Sequence, residues 1–226
     1  MFPYEPIVEL APNLWCVQGS IPGVPLKRRM TLARLADGRI VIHNAIELKK
    51  KDMKRIEAWG TPAFIVVPNG YHRLDAPKLK QRYPDAEVVC PRGSRARVEQ
   101  VVPVDLGYDE FPDDEQVSME HLEGTDEREG VLSVKSDDGT TRVFNDVLFN
   151  IPRLDGFAGF VLKTIGTTGG PRVTPVAKLL VLREKRALAA HLDRLATPDV
   201  VRLVPGHGEL VDTHADETLY RVAVGL

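Results

Sequence analysis

Cysteine is scarce in this chain. Cys16 and Cys90 are the only two among 226 residues, and they stand too far apart to form a metal-binding Cys-x-x-Cys pair. That usage excludes a disulfide scaffold and a cysteine-based zinc site, and it fits a reducing compartment. Charge of one sign is lacking too. Lys and Arg number 30 against 32 Asp and Glu, a formal net charge of −2. A nucleic-acid binder needs a basic excess, so no nucleic-acid partner is expected. No apolar run approaches the roughly 18 residues that cross a bilayer, and mean hydropathy is −0.17, so no membrane partner is expected. The opening MFPYEPIVELAPNLW has no basic segment followed by an apolar one and does not read as a secretory signal. The expectation from these absences is a cytoplasmic location. Repeats and low-complexity tracts are also missing.

What is present is a core. Hydrophobic residues make up 43%, which excludes wholesale disorder. The length suits one domain spanning 1–226. Residues 13–18 (NLWCVQ), 29–35 (RMTLARL) and 39–46 (RIVIHNAI) read as a β-meander, with Asp37-Gly38 as a hairpin turn. The period then changes. Over 47–59, Leu48, Met53, Ile56 and Trp59 share an approximate helical face, and Gly60 and Pro62 stop the helix. Residues 63–67 (AFIVV) form an uninterrupted apolar strand of the kind buried on both faces. The loop 68–75, a helix near 77–82 and a strand at 87–90 follow.

The second half repeats the style. A strand at 116–122 precedes a hairpin, 130–134 and 141–144, around Asp137-Asp138-Gly139. Thr174-Pro175 reads as an N-cap and first helical residue, and the spacing of Leu188, Leu192 and Leu195 predicts one long helix to about Ala196. A strand at 200–204 and a closing helix at 215–224 complete the chain. Two sheets face to face with helices outside are expected.

Two segments carry chemistry. In LVPGHGELV (203–211) an apolar strand ends in a turn that presents His207 between glycines, which permit unusual backbone and close approach. A turn histidine facing solvent is the competing reading. In RVFNDVLFN (142–150) a strand delivers Asp146 between apolar flanks. A carboxylate there needs a partner, because an unpaired buried charge is costly. That partner is a metal ion, a histidine or backbone N–H groups; capping of a turn by Asp146 is the plainer alternative.

In this order, about sixty residues apart, these segments resemble the metallo-β-lactamase superfamily. There a strand ending in GD-x-LF supplies a metal-bridging Asp, and a late strand ending in PGHG supplies a histidine ligand. The resemblance covers nearly the whole chain. It implies an α/β (α+β) fold, the four-layer αβ/βα sandwich, with a metal site on one edge. The chain departs from the family in its main loop, His-x-His-x-Asp-His. The corresponding stretch is Asn69-Gly70-Tyr71-His72-Arg73-Leu74-Asp75. In register, Asn69 and Tyr71 replace two histidines, and Arg73 and Leu74 replace the Asp-His pair. The next family ligand, a histidine of a PGH turn, is absent at Glu123-Gly124-Thr125; Glu127 or Glu129 is the expected substitute. His43 falls where the family's early aspartate stands.

The chain has six histidines. His121, His191 and His214 read as surface or core residues. Too few remain for the family's two-metal site. The resemblance therefore implies a reduced set, His72, Asp146 and His207, holding at most one zinc or other divalent ion, with Asp75 or Glu129 as a further ligand or base. Two functions follow as expectations. One is a metal-dependent hydrolase of an ester, thioester, lactone or phosphodiester. The alternative is a non-catalytic member that binds a small molecule or a protein partner without metal, in a cleft filled by Tyr71, Arg73 and Leu74. The glycine-rich stretches 19–23 and 164–172 lack phosphate-binding spacing; the second is expected to be a flap over the cleft or a plain surface connection.

Overall fold

The computed structural model describes residues 1–152, 164, 166 and 168–226. Most of the expected 164–172 flap can therefore be placed, but its residues 165 and 167 lie outside the described residues.

Seven strands form the first sheet in sequence order: β1 (Val8–Ala11), β2 (Leu14–Ile21), β3 (Val24–Arg34), β4 (Arg39–His43), β5 (Thr61–Val66), β6 (Glu87–Cys90) and β7 (Leu106–Gly107). Strands β1 to β4 pair antiparallel, and β4 to β7 pair parallel. The change of sense falls where helices begin, because a parallel neighbour requires a crossover. Those crossovers hold α1 (Lys50–Trp59), α2 (Ala76–Arg82) and α3 (Arg95–Val98). The second sheet has the order β12-β10-β9-β8, built from β8 (Val117–His121), β9 (Gly130–Ser136), β10 (Gly139–Val143) and β12 (Val200–Val204). A short parallel pair, β11 (Phe149–Asn150) with β13 (His207–Gly208), extends beyond it. Helices α4 (Pro175–Leu180), α5 (Lys185–Leu195) and α6 (Ala215–Val224) belong to this half.

Alternation along the strands sorts the apolar residues into three interfaces. On β4, Ile40 and Ile42 pack with Met53 and Ile56 of α1, whereas Val41 joins Phe64, Val66, Leu132, Val134 and Val204 between the sheets. Val131 and Leu203 face outward to Leu188, Leu192 and Leu219 of the second helical layer. The result is the expected four layers, helix–sheet–sheet–helix.

Several element boundaries differ from expectation. The long helix is two helices. Arg183 and Glu184 both donate their backbone N–H to the carbonyl of Gly124, at 2.7 and 3.0 Å, and so leave the helical ladder. The cap itself is as expected, with Thr174 Oγ1 accepting from Ala177 N at 3.1 Å. The strand at 39–46 stops at His43, because Asn44 adopts a left-handed φ of 57°. Helix α1 starts three residues late, at Lys50, where the Tyr4 hydroxyl accepts from Lys49 N and donates to Asp52. Strand β1 and the short β7 had no clear signal in the sequence. The 19–23 stretch is the end of the β2–β3 hairpin. Cys16 and Cys90 are buried and unpaired. Among the described residues no helix is long and apolar enough to cross a membrane.

Candidate metal centre

Three separate segments bring His72, Asp146 and His207 together at the ends of parallel strands. His72 follows β5. Asn69 shapes its loop, its side-chain oxygen accepting from the backbone N–H of Tyr71 and His72 at 2.8 and 3.2 Å, a local turn that Asn forms readily. Asp146 follows β10. Phe144, Val147 and Leu148 on either side anchor in the outer core, which leaves the carboxylate to face the other way. His207 follows β12 through Pro205-Gly206. A Cβ on Gly206 would stand 2.7 Å from Asn145 Oδ1, and one on Gly208 (φ +95°) 2.0 Å from the Asn150 carbonyl oxygen. Both glycines are therefore needed for the close β11–β13 pairing that aims His207. The Phe149 ring stacks on its imidazole at 4.8 Å.

The donor atoms form a near-equilateral triangle. His72 Nε2 lies 3.0 Å from Asp146 Oδ1, His207 Nε2 lies 3.3 Å from the same oxygen, and the two Nε2 atoms are 3.3 Å apart. Nitrogen and oxygen donors bound to a tetrahedral zinc at about 2.0–2.2 Å are roughly 3.3–3.6 Å from one another. The triangle is thus close to one face of such a tetrahedron, with a fourth position left over.

The outer hydrogen bonds agree. His207 Nδ1 lies 2.7 Å from the Lys27 carbonyl oxygen, which can only accept. Nδ1 therefore carries the proton, and in the neutral ring Nε2 presents a lone pair. His72 Nδ1 lies 3.2 Å from Asn44 Oδ1. Asn44 Nδ2 donates to the Arg29 carbonyl at 2.9 Å and to Asn145 Oδ1 at 3.3 Å, so the Asn44 oxygen is the atom turned to His72. That ring too presents an Nε2 lone pair when neutral. Two lone pairs and a carboxylate oxygen then converge with no proton among them. Such a set calls for a cation, and second-shell acceptors on Nδ1 are the usual way ligand histidines are oriented. The residues fit one divalent ion.

Asp146 Oδ2 is held from behind. Asn69 Nδ2 donates to it at 2.8 Å and to Glu129 Oε2 at 3.1 Å. Glu129 Oε1 accepts from Val147 N at 2.7 Å. Burial pushes the Glu129 carboxyl well above the usual carboxylate range, and the neighbouring Asp146 charge adds to the effect. Burial also works to raise Asp146, but His72 and His207 outweigh it and hold that carboxyl below its ordinary value. Charge therefore rests on Asp146 rather than on Glu129, which lies behind the Asn69 amide.

Strand β3 is the template of the site. The Lys27 carbonyl accepts a hydrogen bond from His207 Nδ1. Arg29 grips the following turn, its backbone N–H donating to Gly206 O at 2.9 Å and its guanidinium to Gly208 O at 2.6 Å. Gln18 Nε2 donates to the same Gly208 oxygen at 2.7 Å. The roles of Asn44, Arg29 and Gln18 were not read from the sequence. Their only signal was polarity at positions that strand alternation turns inward.

Other expectations are corrected. The Asp75 carboxylate is not at the site; it forms a buried ion pair with Arg28, which also donates to Ala45 O at 2.8 Å. Arg73 points outward, to the Arg97 carbonyl and Gln100. Tyr71 and Leu74 are about half exposed, at 47% and 45%, so the three residues do not together fill one cleft, although Tyr71 lines a cavity beside Arg97. Glu127 pairs with Arg92 at 3.4 Å. His43 is buried at the end of β4, and neither ring nitrogen has a partner. Burial, with His72 nearby, lowers its pKa to about 3, so it stays neutral. His121 accepts from Arg92 N at 3.1 Å, His191 joins Glu120 and the Glu123 N–H, and His214 is exposed beside Glu217.

No protein-family model and no curated protein matches the sequence. The fold does have relatives among solved structures. A metallo-β-lactamase from Pontibacter korlensis superposes with a TM-score of 0.65 at 11% identity, over 98% of this chain and 99% of that one. The DIM-1 metallo-β-lactamase exposed to ceftazidime superposes with a TM-score of 0.64 at 10% identity, over 100% and 99%. The chain has the metallo-β-lactamase fold. At this identity the likeness establishes architecture; function has to be argued from the site.

Proposed function

We propose that this protein is a metal-dependent hydrolase with a single divalent ion, zinc being the best fit, held by His72 Nε2, Asp146 Oδ1 and His207 Nε2. The observation that carries this reading is the triangle of donors, with sides of 3.0, 3.3 and 3.3 Å. When bound, such an ion supplies Lewis acidity and lowers the pKa of a coordinated water. The chain's own residues do the rest. Asn44 and the Lys27 carbonyl fix the tautomers and turn both Nε2 atoms inward. Asn69 occupies Asp146 Oδ2 and so directs Oδ1 to the ligand position. Phe149, stacked on His207, shields one side of the imidazole from water. The substrate class is an ester, thioester, lactone or phosphodiester, all cleaved by water at a polarised centre.

Elemental analysis of the purified protein, with zinc titration of the metal-free form, tests the reading. About one equivalent of zinc is expected, with binding lost in Asp146→Ala and His207→Ala. Hydrolysis of a small ester and phosphodiester panel should be abolished by chelator and restored by zinc. Wild-type protein that takes up no zinc, or variants that bind it equally well, would overturn the reading.

A second reading has its own support. At 3.0 and 3.3 Å the same atoms can share a proton, closing the triad on itself as His–Asp–His with no metal. The protein would then bind ligands without hydrolysing them. Zinc titration separates the two.

A further inference from the structure

The loop that carries His72 forms the wall of a cavity of about 280 Å³ on its other flank. Asn69, Gly70 and Tyr71 line it, facing Arg97 and Arg128, with Leu180 and Val181 on the apolar side. None of its lining residues is acidic. Four other cavities among the described residues each include a carboxylate, for example Asp113, Asp212, Asp137 and Asp52. In a chain with a net charge of −2, a cavity whose charged lining residues are all cations stands out.

The two guanidinium groups have no carboxylate partner among the described residues. Carboxylates are close in sequence but engaged elsewhere: Asp126 with Arg183 at 3.5 Å and Glu127 with Arg92 at 3.4 Å. Arg97 is also held in place. Its guanidinium lies 4.2 Å over the Tyr71 ring, and its backbone carbonyl accepts from Arg73. Its side chain lies against Gly70, where a Cβ would come within 2.9 Å of Arg97 Cδ. The Ser94 hydroxyl fastens the floor, accepting from Gly70 N at 3.1 Å and donating to the Arg128 carbonyl at 2.7 Å. Arginine forks match the planar, bidentate geometry of carboxylate and phosphate. A fixed guanidinium also loses less freedom on binding than a mobile one.

We infer that this cavity is an anion subsite, and that the ligand of the neighbouring centre carries a carboxylate or phosphate group which Arg97 and Arg128 hold. The connection to the metal centre runs through Asn69, which both lines the cavity and bonds Asp146 at 2.8 Å. Leu180 and Val181 accommodate an apolar portion next to the charge. As a statement about substrate the inference rests on the hydrolase reading; as a statement about anion binding it does not.

The test uses the full chain treated with chelator, so that no metal can bind the anion itself. Inorganic phosphate and acetate are titrated separately by calorimetry. Saturable binding of at least one is expected, and which one binds identifies phosphate or carboxylate as the natural group. Arg97→Gln and Arg128→Gln should each weaken binding about tenfold, the worth of a charge-assisted hydrogen bond. His207→Ala should leave it unchanged. Thermal melts of the Gln variants should match the wild type, since Arg97 is exposed, Arg128 is half-buried, and neither forms an ion pair among the described residues. Failure of both anions to bind the wild type, or equal binding by the Arg97→Gln/Arg128→Gln double variant, overturns the inference. Neither outcome depends on zinc, so the subsite and the hydrolase reading fail separately.

Discussion

Asn69 ties two carboxyl groups together, its amide donating to Asp146 Oδ2 and to Glu129 Oε2. A divalent cation between Asp146 and Glu129 would do the same electrostatic task, and the amide does it with two protons. Asn69→Leu should remove the donor to Asp146 Oδ2 and to Glu129 Oε2, leaving Glu129 with Val147 N–H alone on its other oxygen. Zinc affinity should fall 10- to 100-fold, the usual cost of losing a second-shell contact, as read by competition with a chromogenic chelator. His43 gives a second test at this scale. Its folded pKa is about 3, below the ordinary 6.5, so the unfolded chain takes up the proton first as pH falls. The stability tied to this group is full above about pH 6.5 and drains away toward pH 3, at up to about 1.4 kcal/mol per pH unit. Chemical denaturation of wild type and His43→Leu across pH 7 to 4 should therefore give curves that diverge, the wild type losing more. Curves that stay parallel would remove this account of His43.

Among the elements, β3 carries more than its share. It sits inside the first sheet and reaches the second half through Lys27 and Arg29. Arg29→Ala removes a buried guanidinium and leaves the Gly208 carbonyl with the Gln18 amide alone. We expect a loss of about 1–3 kcal/mol in unfolding free energy together with weaker zinc binding, whereas an ordinary surface Arg→Ala change would touch neither. The break between α4 and α5 makes a further case. Gly124 has φ +77°, and a Cβ there would stand 2.2 Å from the Glu184 carbonyl oxygen. Gly124→Ala should thus destabilise by more than about 1 kcal/mol, visible as a lowered Tm. These elements also show what the sequence could and could not reveal. Strands such as β4 and β5 were legible because apolar, β-branched runs have few other uses. Asp146 stood out as an ionisable group amid apolar neighbours, which asks for a partner, and His207 as a histidine set between two glycines at a strand end. The helix break was not legible, since Gly124 lies sixty positions from Glu184 and only tertiary contact brings its carbonyl there. Asp75 was misread for the same reason: its partner Arg28 lies 47 positions away, on a strand that gave no sign of contributing a buried cation.

Over the whole molecule, the site spans the seam between the two sheets. His72 comes from the first half, Asp146 and His207 from the second. A ligand that bridges them binds only the assembled sandwich, so it stabilises folding by mass action. Zinc at about a thousand times its Kd should add roughly 4 kcal/mol, read as a shifted urea midpoint that chelator reverses. In Asp146→Ala the shift should vanish. Core truncation gives the comparison. Phe64→Ala, in the layer between the sheets, should cost about 3–5 kcal/mol whether or not zinc is present.

The bond from His207 to the Lys27 carbonyl joins residues 180 positions apart. A chain made from its N-terminus completes β3 well before it reaches the turn that β3 holds, 180 positions further on. Until that turn arrives, Arg29 lacks the Gly206 and Gly208 carbonyls and the Lys27 carbonyl lacks the His207 imidazole. The site is therefore complete only once the distant turn has docked on β3. If zinc binds there as proposed, conditions that slow the docking of the two halves should delay its uptake by the refolding chain.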